Sequence, residues 1–194
     1  MSRKTPSIAV ALAAWLCGAC RAERTRPDTA RSKSTGPSMS MAVPDSAWVI
    51  TPRGLGPLHI GMTRGEVEAV LGVMVPATGD SGWRQCAVVS PAGLPPGVRL
   101  MVAGGTIARF DVDSGHVATA AGARIGDLEA RIRDLYTTRV STALLKYESG
   151  HALTVMPAAP ADSSFRLVFD TDGRRVTRYR AGRTPEIEYV EGCG

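Results

Sequence analysis

A chain of 194 residues, 44% of them hydrophobic, has length and apolar content for one domain, or for two small ones sharing a core. Its net charge of +5 hints at an anionic partner, but the excess sits in Arg3, Lys4, Arg21, Arg24, Arg26, Arg31 and Lys33. From residue 41 onward 16 basic residues balance 16 acidic ones, so the folded part lacks the basic field of a nucleic-acid binder, and none is expected as a partner.

Residues 1–20 read as an export signal. Arg3-Lys4 forms the positive start, and the nine-residue apolar run from Ile8 to Leu16 is too short to span a membrane. Cys20 after Gly18-Ala19 resembles a bacterial lipobox, which implies lipidation at Cys20 and anchorage in the cell envelope. The usual Leu three places before the cysteine is replaced by Cys17. Ordinary cleavage near Ala19 or Ala22 is the alternative and would leave a soluble periplasmic or secreted protein. Residues 21–46, rich in Ser, Thr, Pro and Arg, bury too little surface to repay ordering and read as a disordered tether.

Trp48-Val49-Ile50 opens the folded part as a short strand. Residues 51–57 carry two Gly and two Pro and read as a turn, and Leu58 to Ile60 as a brief second strand. The next segment has an explicit helix start. Thr63 and Glu66 match a capping box, Met62 is placed to staple onto Val67, and Val67, Val70 and Leu71 share one face. Gly72 is the stop. Strands are expected over 83–90, 98–103 and 106–113, the last two joined by Gly104-Gly105 as a two-residue hairpin.

A weaker copy of this unit begins at Ile125-Gly126, 65 residues after Ile60-Gly61. Asp127 is the expected cap of a helix whose stripe is Leu128, Ile132, Leu135 and Tyr136. Strands are expected at 142–149, 151–157, 164–170 and 174–181, with Asp172-Gly173 turning the last pair, and a final strand over 185–194. Arg99 to Val102 matches Arg166 to Phe169, and Ile107 to Phe110 matches Val176 to Tyr179. The expected fold is therefore α+β: two degenerate repeats over 47–118 and 119–194, packed as one body, each a helix on an antiparallel meander.

Cys86 and Cys193 remain once Cys17 and Cys20 are assigned to the leader. In an exported chain they are expected to form a disulfide, two free buried thiols being the alternative.

No catalytic or metal constellation is legible. His59, His116 and His151 are isolated, and Asp113-Ser114-Gly115-His116 is a turn rather than a triad. Asp170-Thr171-Asp172-Gly173 lacks the twelfth-position Glu of a calcium loop, where Ala181 stands. Arg174, Arg175, Arg178, Arg180 and Arg183 crowd one strand. Cross-strand pairing with Glu186, Glu188 and Glu191 is the plain reading, and an anionic-partner site on Arg178 and Arg180 is the other.

The motif IGMT-x-x-E-V-x-x-x-LG at Ile60 to Gly72 resembles the repeat of the β-lactamase inhibitory protein and of the small BamE/SmpA/OmlA outer-membrane lipoproteins. More closely, residues 54–194 resemble bacterial lipoproteins that open on the Gly54–Thr63 motif and end in Tyr-Val-Glu-Gly-Cys, here Tyr189–Cys193. The resemblance implies tandem helix-on-sheet units and protein binding, or scaffolding, on a sheet face. The BamE-like proteins carry one unit, and the inhibitor has a disulfide in each unit and an aromatic-rich surface. This chain has two units, one expected bridge and 5% aromatics.

The expected function is a lipid-anchored, monomeric, non-catalytic envelope module that binds another envelope protein. Phe110, Tyr179, Arg178 and Arg180 are its candidate binding residues, and no cofactor is expected. An envelope enzyme with a site assembled from residues such as His59, Asp111 and Arg109, or a secreted enzyme inhibitor, are the alternatives.

Overall fold

The computed structural model describes residues 44–75 and 82–193. The expected signal, the lipidation position Cys20 and nearly all of the expected tether lie outside them.

The fold is α+β and largely β, with two sheets and two short helices. Strand β1 (Val49–Thr51) pairs with β2 (Gly54–Leu55), and β2 with β3 (Leu58–His59). The stretch read as a plain turn thus contains a strand. Helix α1 (Arg64–Leu71) follows, then β4 (Cys86–Val89), β5 (Val98–Ala103) and β6 (Thr106–Val112). Strand β7 (Ala118–Thr119) adds in parallel to β1, a pairing too short to leave a pattern in the sequence. Helix α2 (Glu129–Tyr136) precedes β8 (Val140–Leu144), β9 (His151–Val155), β10 (Phe165–Thr171) and β11 (Val176–Arg183). The large sheet is antiparallel throughout, in the order β4-β5-β6-β11-β10-β9-β8.

Alternation along these strands divides the sheet into two chemically different faces. On one face Val89, Leu100, Phe110, Ala181, Leu167, Val155 and Val140 stand opposite one another across all seven strands. A parallel row runs Val98, Val112, Tyr179, Phe169, Leu153. Together with Val67 and Leu71 of α1 and Ile132 and Tyr136 of α2 these rows belong to one core cluster. Phe169 stacks obliquely between Tyr136 and Tyr179, with ring centroids 5.8 and 5.4 Å away.

Helix α1 forms as its sequence dictates. The Thr63 N–H donates to Glu66 Oε2 at 2.7 Å, the Glu66 N–H reaches Thr63 Oγ1 at 3.5 Å, and Gly72 closes the helix in the left-handed conformation at φ 67°. Helix α2 departs from its expected cap. Asp127 is held in extended pairing, because its carbonyl accepts the Val176 N–H at 2.9 Å and Gly126 N–H donates to the Val176 carbonyl at 2.8 Å. The cap falls on Leu128, which is 41% exposed and off the buried stripe, and the Asp127 carboxylate accepts from the Arg124 N–H and Arg131 instead. The entry to α1 is built alike: Gly61 N–H donates to the Ile107 carbonyl, and Ile107 N–H to the Met62 carbonyl, both at 2.8 Å.

Gly104-Gly105 turns β5 into β6 with φ 61° and 85°, the sign an L side chain resists. Gly182 has a different role. A Cβ there would lie 2.6 Å from the Ala108 carbonyl oxygen and 3.0 Å from Arg109 Cβ, so only glycine lets β11 lie this close to β6.

The expected final strand over 185–194 does not form. A short 3-10 turn at Glu186–Glu188 takes its place, with Ile187 fully buried and Tyr189 43% exposed. Carbonyls that a ladder would have used are taken by arginine side chains of the sheet, as described next. The Cys86–Cys193 disulfide is present, tying this terminal stretch to the edge strand β4.

Candidate functional site

The second face of the large sheet carries charge where the first carries apolar side chains. Arg99 on β5 stands opposite Asp111 on β6, and Asp111 opposite Arg180 on β11. One position along, Arg178 on β11 faces Asp170 on β10. Opposite charges across antiparallel strands stabilise the register. Here they close as separate groups, Arg99 with Asp113, Arg109 with Asp111, and a larger one in which Arg178 and Arg180 share Asp170. Asp170 is its hub: its Oδ2 accepts from Arg178 Nε at 2.9 Å and from Arg180 Nη1 at 2.7 Å, with its side chain only 3% exposed. Arg178 also meets Glu148, from the β8–β9 loop, at 3.1 and 3.2 Å.

The 186–193 stretch lies across one side of this face. Arg109 donates from Nη1 to the carbonyls of Glu186 at 2.9 Å and Tyr189 at 2.8 Å, and from Nε to Asp111. Arg180 donates from Nε to the Ile187 carbonyl at 2.9 Å. Burial pushes the Arg109 pKa down while Asp111 works to hold it up. At Arg178 burial also opposes the charge, but the hydrogen bonds to Asp170 and Glu148 outweigh it and the pKa rises.

Beyond the terminal stretch the face opens into a cavity of about 500 Å³. Its floor is this set of ion pairs and its walls are the β8–β9 loop and residues 189–193. The Tyr147 hydroxyl bonds to the Glu191 carboxylate, bridging the walls. Five cations and five anions line it, so the cavity is neutral in sum. Its rim is apolar: Val88, Leu144, Tyr147, Tyr189 and Val190 all line it, and each is 38% exposed or more.

Of the residues expected to bind, Arg178 and Arg180 are on this cavity floor, each paired with Asp170, so that neither is an uncompensated charge, although Nη2 of Arg180 is left unbonded among the described residues. Phe110 and Tyr179 are not surface groups. They are 0% and 1% exposed, on the opposite face of the sheet, and the Tyr179 hydroxyl donates to the Val117 carbonyl at 2.8 Å. Burial accordingly raises the Tyr179 pKa far above the ordinary phenol value. Their aromatic character suggests a binding face, but alternation with Asp111, Arg178 and Arg180 puts them inside. The acids expected to pair with the arginine strand are also reassigned: only Glu186 does so, with Arg183 at 3.1 Å, while Asp170 and Glu148 serve the others.

Sequence reasoning missed Asp170, Glu148, Leu144 and Tyr147. The signal available was one acid, Asp170, ending the apolar run Leu167 to Phe169, a position that costs several kcal/mol unless cations meet it.

No family model, curated protein or solved structure matches this chain. The site therefore has to be read from its own chemistry.

Among the proposed catalytic residues, Arg109 and Asp111 form an ion pair at 3.0 Å, while His59 is exposed on β3 of the smaller sheet. His116 is exposed in the turn after β6. His151 belongs to a separate cluster. Its Nδ1 lies 2.8 Å from Glu129 Oε1, which also accepts from the Thr171 hydroxyl at 2.5 Å. In a nucleophilic triad the hydroxyl would donate to the imidazole. Here it donates to the carboxylate, an arrangement that anchors the start of α2 to β9 and β10 and activates no nucleophile. No group of three or more His, Cys, Asp or Glu with metal-ligand geometry occurs among the described residues.

Proposed function

We propose that this chain is an exported envelope protein, lipid-anchored at Cys20, that acts as a non-catalytic module binding another envelope protein through the outer face of its large sheet. One observation carries the reading: five exposed apolar side chains gather on the rim of one cavity whose floor is a set of ion pairs. Exposed apolar groups that cluster mark contact surfaces, whereas singly scattered ones need no explanation. The floor suits holding rather than reacting, because its arginines and carboxylates neutralise each other in fixed geometry.

The same reading treats the chain as two degenerate units. The matched hydrogen bonds of Gly61 and Met62 with Ile107, and of Gly126 and Asp127 with Val176, support a duplicated helix-to-strand joint. The export signal and lipobox resemblance support the envelope location. No helix among the described residues is long and apolar enough to cross a membrane.

Two measurements test the proposal. Palmitate labelling of wild type and Cys20→Ser should mark only the wild type, and equal labelling refutes the anchor. A photo-crosslinking residue placed at Tyr147 should give a discrete protein adduct in cells, and one at the exposed Val49 of the smaller sheet should not. Adducts from both positions, or from neither, refute binding through this face.

A further inference from the structure

The terminal stretch shows how this face holds a polypeptide. Arg109 and Arg180 grip residues 186–189 entirely through main-chain carbonyls, at 2.8 to 2.9 Å, without using a side chain of that stretch. Guanidinium groups with several fixed donors suit such a grip, which reads the backbone and ignores sequence.

The grip is unfinished on the cavity side. Arg109 and Arg180 line the cavity, and the Nη2 of each has no hydrogen-bond acceptor among the described residues. Asp170, only 2% exposed, also lines it, and its buried Oδ1 has no donor there. Donors and an acceptor are thus both left over. A simple anion would meet Asp111, Asp113, Glu148, Asp170 and Glu191 in the same space, and a simple cation would meet the arginines. A peptide main chain satisfies both sets without net charge. At about 500 Å³ the cavity is within the size range of ordinary ligand pockets. Tyr147 and Glu191 join its walls.

We infer that the cavity binds an irregular, uncharged stretch of peptide belonging to the protein partner. The free Nη2 groups of Arg109 and Arg180 take its carbonyls and the Asp170 carboxylate takes an N–H. Its apolar side chains lie against Leu144, Tyr147 and Val190. The Tyr147–Glu191 bond opens to admit it. This inference rests on the protein-binding reading above and specifies what part of the partner is recognised.

The test begins with linear random octapeptides displayed on phage and selected on the detergent-solubilised full chain. Selected sequences are then made with acetylated and amidated ends and titrated calorimetrically. Binding should weaken about tenfold or more for Leu144→Asp and for Tyr147→Ala, both at exposed rim positions. N-methylation of central amides in the peptide should cost as much, while replacing its polar side chains by Ala should cost little. Melting curves of both variants, expected to match wild type, separate lost binding from lost folding. The inference is overturned if no peptide is selected, if the variants bind like wild type, if N-methylation has no effect, or if millimolar inorganic phosphate displaces the peptide. A Tyr147 crosslink to a folded partner without any peptide binding would sink this inference and leave the protein-binding reading standing.

Discussion

Arg180 Nη1 lies 2.7 Å from Asp170 Oδ2, joining a side chain 11% exposed to one 3% exposed. This buried pair, shared with Arg178, holds β10 and β11 in register on the face opposite the core. Removing the carboxylate charge leaves the Arg180 guanidinium without its counter-ion, while Arg178 keeps Glu148. Asp170→Asn should therefore destabilise the fold by about 3 kcal/mol or more, read from chemical denaturation. Arg99→Ala breaks the pair with Asp113, whose members are 48% and 41% exposed, and should cost about 0.5 kcal/mol or less. Equal effects of the two changes would refute the ranking.

The Cys86–Cys193 bridge closes a span of 107 residues. Cross-linking so long a loop restricts the unfolded chain, for about 4–5 kcal/mol in the entropic description. Cys193→Ser should lower the denaturation midpoint accordingly, and added reductant should lower wild type to the same value. A midpoint insensitive to both would show that the terminal stretch is held by Arg109 and Arg180 alone.

Glu129 gives the acid limb of stability a specific contributor. Burial acts to raise its pKa, but the hydrogen bonds from the Thr171 hydroxyl and His151 prevail and hold it below the usual carboxylate value. A carboxylate whose pKa is depressed on folding contributes stability in full above its unfolded pKa, and that contribution is lost as pH falls through the folded value. Glu129→Gln should thus flatten the fall in stability below pH about 4.5, where an unperturbed Glu titrates. An acid limb as steep as that of wild type would refute it.

Gly182→Ala tests the close approach of β6 and β11. The added methyl meets the Ala108 carbonyl at 2.6 Å, inside contact distance, and backbone cannot yield as a side-chain tip would. A loss of about 1–3 kcal/mol is expected in thermal or denaturant unfolding, and an unchanged stability would mean that the strands separate freely.

Most strands of the large sheet were legible because period-two alternation and glycine turns are local signals, and 98–103 matches β5 residue for residue, whereas β8 runs over Val140–Leu144 and not over 142–149. The helix at 63–72 was legible because its cap, stripe and stop all lie within ten residues of sequence. What stayed hidden depends on contacts between distant segments. Glu186 to Tyr189 alternates like a strand, yet its carbonyls are claimed by Arg109 and Arg180 from across the fold. Phe110 and Tyr179 look like binding aromatics until their strands are paired, when Asp111 and Arg180 emerge on the other side. The Cys86–Cys193 pairing follows from an exported chain with two cysteines left in its fold, and the rim residues Leu144 and Tyr147 carry no sequence signal.

The seam between β6 and β11 sets the order in which the cavity can come into being. Hairpins β5–β6 and β10–β11 close over short turns, whereas Val112 meets Tyr179 and Arg109 meets Gly182 only after about seventy residues of chain have been gathered in. Arg109 and Asp111 come from one side of that seam and Asp170, Arg178 and Arg180 from the other. The first hairpin carries Arg109 and Asp111, paired with each other, and lacks Asp170, Arg178 and Arg180 until the second joins it. The cavity floor is thus complete only once the two hairpins have met.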